Sequence, residues 1–130
     1  MKLTKTILSV LLLATISIFG CKSKSAKELI VNKWKLTNIS GGESGQMADS
    51  IKTQLYNTAT MEFMKDGKYE MTMTGRDKGG IWKISDDGKT LTTSDADGSN
   101  SEDAEIVEIS ADKCIVKNKK DNTTITMAKK

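Results

Sequence analysis

The sequence predicts an all-β domain: eight antiparallel strands in an up-and-down barrel, with a short helix before the first strand and a second helix between strands one and two. Three observations predict it. From Trp34 onward, short apolar-periodic runs alternate with turn signals at the regular spacing of a sandwich or barrel. When those runs are paired as hairpins, almost all the large apolar side chains fall on one face of the sheet. Such a sheet must curl or find a partner to hide its apolar face, and closing it into a barrel also removes both aggregation-prone edges.

The chain starts with an address. Lys2 and Lys5 precede an apolar run from Ile7 to Phe19, about 13 residues long. A membrane span needs ~20 residues, so this run matches the apolar core of a secretory signal instead, and residues 1–20 are expected to be removed. The segment Ile18-Phe19-Gly20-Cys21 resembles the lipobox of bacterial lipoproteins. That resemblance implies acylation of Cys21, for example with palmitate, and cleavage just before it. Loss of Lys2 and Lys5 lowers the formal charge from +3 to +1, so the basic balance belonged mostly to the signal. In the resembling lipoproteins, the absence of Asp straight after the Cys points to the outer membrane. The lack of an acidic surface-display signal favours its periplasmic side. Lys22-Ser23-Lys24-Ser25 has the small, polar composition of a tether.

Ser25-Ala26-Lys27-Glu28 fits a capping box ahead of Leu29-Ile30-Val31 and predicts the short helix. Residues 21–32 are therefore tether and helix, and residues 33–130 the barrel. The expected strands are Lys33–Ile39, Ala59–Met64, Lys68–Thr74, Gly80–Ser85, Lys89–Thr93, Glu105–Ser110, Lys113–Asn118 and Thr123–Ala128. After the Gly41-Gly42 linker, Met47, Ile51 and Leu55 recur at helical spacing. They predict a helix over Gln46–Tyr56 laid across one barrel mouth, either as a plug completing the core or as a moving lid.

Turn chemistry sets the register. A three-residue loop, Lys65-Asp66-Gly67, pairs Phe63 with Tyr69, Met61 with Met71 and Ala59 with Met73. A two-residue turn at Asp87-Gly88 pairs Ile84 with Leu91 and Trp82 with Thr93. Ile109 opposite Cys114 sets Val107 against Val116, and the Lys119–Asn122 loop then aligns Val116 with Ile125 and Cys114 with Met127.

The order of Trp34-Lys35-Leu36, Phe63-x-x-Asp66-Gly67-Lys68-Tyr69, Gly80-Ile81-Trp82-Lys83-Ile84, Asp87-Gly88-Lys89-Thr90-Leu91 and Ile109-Ser110-x-Asp112 resembles the small lipocalin-like domains of bacterial lipoproteins. That resemblance implies a lipocalin-like barrel with one mouth open. The chain differs in having Asn32 where a Gly usually stands two residues before the first Trp. It also has no Arg late in the chain to cover that Trp.

Eight strands make a barrel just wide enough to be filled by its own side chains or to hold one small ligand. The candidate cavity residues are Trp34, Met61, Phe63, Tyr69, Met71, Met73, Trp82, Ile84 and Met127, with Met47, Ile51 and Leu55 as the candidate lid. Unbranched thioethers repack around irregular shapes and suit a tolerant apolar pocket, although they also serve as gap fillers.

No His is present, which removes Ser-His-Asp and Cys-His catalysis and His-ligated metals. Cys114 reads as a small apolar strand residue, because Ile115 and Val116 follow it and no base is near in sequence. The acidic segment Ser94–Asp103 lacks the spacing of a Ca²⁺ loop and reads as a solvated loop. Arg76, the one arginine, reads as a loop surface charge. No enzyme, catalytic residue, metal or cofactor is expected. Nor is nucleic-acid binding, since basic runs with interleaved aromatics are missing. The leading expectation is a monomeric lipoprotein, anchored in the bacterial envelope by its N-terminal lipid, whose barrel binds a small apolar or amphipathic ligand. The alternative is a filled barrel that docks an envelope protein or polymer.

Overall fold

The computed structural model describes residues 24–130. The expected signal peptide and the lipid-attachment Cys21 lie outside the described residues. Helix α1 spans Ala26–Ile30, and its N-cap Ser25 accepts a hydrogen bond from the Glu28 amide at 3.3 Å. The strands are β1 Lys33–Ser40, β2 Thr60–Phe63, β3 Lys68–Met73, β4 Arg76–Ile84, β5 Thr90–Ser94, β6 Glu102–Ile109, β7 Lys113–Asn118 and β8 Thr124–Lys129. They form a closed barrel in sequence order, with β8 pairing back onto β1.

Most of the expected register is present. Phe63 faces Tyr69 and Met61 faces Met71, while Trp82 faces Thr93 and Ile84 faces Leu91. Ile109 opposite Cys114 continues through Val116–Ile125 and Cys114–Met127.

One pairing lies past a strand end and one differs. Ala59 caps the preceding helix, so β2 begins at Thr60, opposite Thr72, and the ladder keeps the expected register but stops one pair short of Ala59 and Met73. Val107 does not face Val116. A bulge between Ile106 and Glu108 puts Ile106 there instead and leaves Val107 55% exposed.

Two strands also differ from their expected spans by more than one residue at an end. Strand β4 starts at Arg76 rather than Gly80, because Thr74 and Gly75 both take positive φ and make the two-residue turn that joins it to β3. Arg76 is therefore a strand residue opposite Met73, not a loop residue. Strand β6 likewise reaches back to Glu102, which shortens the acidic loop.

The second helix, α2, spans Asp49–Thr58 rather than Gln46–Tyr56. Residues Gly42–Gln46 instead form a separate 3₁₀ turn. Gly41 and Gly42, at φ +72° and +54°, enter it hard against the β7–β8 loop, where a Cβ on Gly42 would lie 2.2 Å from the Asp121 carbonyl oxygen.

Up-and-down winding gives the barrel two unlike ends. Helix α1, the turns at 64–67, 85–89 and 110–112, and the last strand's end gather at one. Helix α2 and the turns at 74–75, 95–101 and 119–123 gather at the other. The first end is closed. Trp34 is fully buried there and donates from Nε1 to the Ile30 carbonyl at 2.9 Å, so α1 covers the indole in place of a late Arg. Trp82 donates from Nε1 to the Met64 carbonyl at 2.9 Å and meets Phe63 edge-on at 5.7 Å.

Candidate ligand cavity

The aromatic plug stops halfway up the lumen. Above it lies a cavity of about 250 Å³, walled by inward side chains and roofed by Leu55 of α2. Met61, Tyr69, Met71, Met73 and Met127 line it, as the inward ladder predicts. Trp34, Phe63, Trp82 and Ile84 do not. They pack in or against the core at the closed end and form the floor's foundation. Leu36, Ile39, Leu91, Val116 and Ile125 complete the apolar wall. Each continues the two-residue alternation of its strand, apart from Ile39, which a bulge between Leu36 and Asn38 turns inward.

Of the three expected lid residues, Leu55 alone lines the cavity. Ile51 is 49% exposed on α2, and Met47 caps the 3₁₀ turn rather than joining the helix. The Tyr56 hydroxyl accepts from the Ile39 amide at 3.2 Å and donates to Asn38 Oδ1 at 3.3 Å, so α2 is fastened to β1.

Polar groups occupy one sector of the rim. Lys78 and Thr93 lie with Glu102 and Asn118 at inward positions on the four consecutive strands β4 to β7. Lys78 and Glu102 fell in segments read as loop, so alternation could not place them until the strands were known to extend that far. Lys78 Nζ pairs with Asp95 at 3.6 Å. The Tyr69 phenol is pushed up by burial, with Lys78 opposing and the Asp95 and Glu102 charges adding to the rise.

The other acidic side chains have local work. Asp97 accepts from the Ser99 amide at 2.9 Å, Asp95 from Asn100 Nδ2 at 2.7 Å, and Asp103 from Thr92 Oγ1 at 2.6 Å across the outer face. Among the described residues no group of three or more carboxylate or thiol side chains is placed to hold a metal ion. Cys114 is fully buried, and burial pushes its thiol up to about 12, leaving it protonated and unreactive at neutral pH.

The sequence profile of a family described as a lipocalin-like domain matches residues 30–114. Among solved structures, the chain is similar to the crystal structure of a DUF4847 family protein from Bacteroides vulgatus ATCC 8482. The two superpose with a TM-score of 0.53 over 77% of this chain and 93% of that one, at 12% identity. At that identity the likeness is one of fold. No curated protein matches the chain.

Proposed function

The chain belongs to the lipocalin-like domain family, and from that premise we propose that it is a non-catalytic carrier whose barrel takes up a small apolar or amphipathic molecule. The half-empty lumen carries this reading. A barrel built only as a docking module gains stability from filling its interior, since every unfilled methylene-sized gap forfeits packing. Here the upper lumen instead keeps about 250 Å³ free and walls it with flexible methionines. That volume lies just under the ~300–1,000 Å³ of ordinary small-molecule pockets, which suits one short chain or a compact ring system.

Residues 1–20 and Cys21 supply the second half of the reading: a lipid-anchored protein of the bacterial envelope, most consistent with the periplasmic face of the outer membrane. More than one acyl chain is enough for stable anchoring.

Native mass spectrometry of the protein expressed in its envelope tests the carrier role. A bound small molecule released by activation is the expected result, and repeated recovery of the bare mass alone would remove the proposal. Metabolic labelling with palmitate tests the anchor separately. Label should enter the intact chain and vanish in Cys21→Ser.

A further inference from the structure

We infer that the preferred occupant of this cavity is an amphiphile with a cationic, ammonium-type head, its apolar part against the methionine wall and its head at Glu102. The inference rests on the carrier reading and names the ligand class that reading leaves open.

Two inward side chains in the cavity wall carry full charges, Lys78 and Glu102. Asp103 also borders the cavity, but its carboxylate points to the outer face and is held by Thr92. Lys78 already has a counter-charge in Asp95 at 3.6 Å. Glu102 has none. The ion pairs among the described residues are Lys78–Asp95 and Lys113–Glu108. Lys119 and Lys120 share a shallow polar groove with Glu102; Lys119 directs its ammonium to Thr90 Oγ1 at 3.0 Å, and neither lysine forms an ion pair with Glu102. Of these two cavity-lining charges, the one without a protein partner is therefore negative.

A second observation agrees. The segments that build the open end, residues 41–58, 74–78, 95–103 and 119–123, carry eight carboxylates against five cationic side chains. The segments at the closed end, residues 24–33, 64–68, 85–89, 110–113 and 129–130, reverse this, with nine cations against five carboxylates. The mouth is the more acidic end of the barrel, and net negative charge around a low-dielectric cleft concentrates cations. An anionic head would meet Glu102 and the net negative charge of the rim. Since Lys78 is already paired, it would have to reach past them to Arg76 opposite Met73 or to Lys119 and Lys120 in the neighbouring groove.

Calorimetric titration of the full chain at pH 7 with three eight-carbon probes below their aggregation limits tests this: octylamine, 1-octanol and octanoate. Octylammonium is expected to bind most tightly, octanol next and octanoate least. Glu102→Gln should weaken octylammonium about two- to fivefold, the worth of one solvent-accessible charge pair, and leave octanol unchanged. Raising the salt should erode the same difference. Octanoate binding best, or Glu102→Gln leaving octylammonium untouched, would overturn the inference while the carrier role stands. Failure of all three probes to bind would overturn both.

Discussion

Trp34 sets the closed end of the barrel through two roles at once. Its ring is entirely buried, and its Nε1 occupies the Ile30 carbonyl at the end of α1, a group the helix itself leaves without a partner. Trp34→Ala should therefore lower unfolding free energy by about 3–5 kcal/mol, read from urea denaturation. Trp34→Phe should recover much of the packing but still strand the carbonyl. Cys114 shows the opposite kind of dependence, on pH. Its thiol ionises near 9 when unfolded and near 12 when folded, so folding favours the protonated form. The sign follows: its contribution is complete below pH 9 and is lost as pH rises from about 9 towards 12. The thermal midpoint of the wild type should fall more steeply over that window than that of Cys114→Ala. Thiol reagents should leave Cys114 unmodified at pH 8 until denaturant is added.

Strands and turns hold their register through close backbone approaches and short carboxylate turns. Gly80 in β4 lies where a Cβ would stand 2.0 Å from the Ser94 carbonyl oxygen and 2.9 Å from the Tyr69 ring. Gly80→Ala must part β4 from β5 or displace Tyr69 from the cavity wall. A loss of at least the ~1–3 kcal/mol typical of overpacking is expected in thermal unfolding. Besides Asp66, which holds the Lys68 amide, three turns use an Asp side chain to hold an amide two residues on: Asp87 to Lys89, Asp97 to Ser99 and Asp121 to Thr123. Hydrogen bonds to side-chain hydroxyl and backbone donors hold all three carboxyls below their ordinary value of 3.8. Their small support is present above pH 3.8 and is lost as pH falls through the lowered values. The amide resonances of Lys89, Ser99 and Thr123 should all titrate below 3.8, and a midpoint at or above 3.8 would contradict these bonds. Hairpin chemistry was legible at this scale because turn type and alternation are local. The β6 bulge was not, since nothing around Val107 distinguishes an extra residue from regular pairing until the β7 partner is in place.

For the whole molecule, the decisive division is between a filled half and an open half of one lumen. Met71→Trp should place an indole in the open half and abolish octanol binding, with no more than the ~1–3 kcal/mol cost of overpacking in thermal stability. A variant that keeps its octanol affinity would show that binding occurs elsewhere. The sequence by itself determined the strand count, most of the pairing, the α1 cap and the inward methionines, because each depends on a two-residue period or a turn within a few positions. It also carried the negative result that no histidine chemistry is possible. Which inward residues form the floor and which the cavity was decided only by tertiary structure. Trp34, Phe63 and Met71 look alike in alternation, yet the height at which each projects into the lumen depends on how eight strands tilt and stagger when β8 closes on β1. The same closure brought Lys78, Thr93, Glu102 and Asn118 to one sector of the rim. Their spacing along the chain carries no sign of it, because the distance that matters runs around the barrel rather than along the sequence.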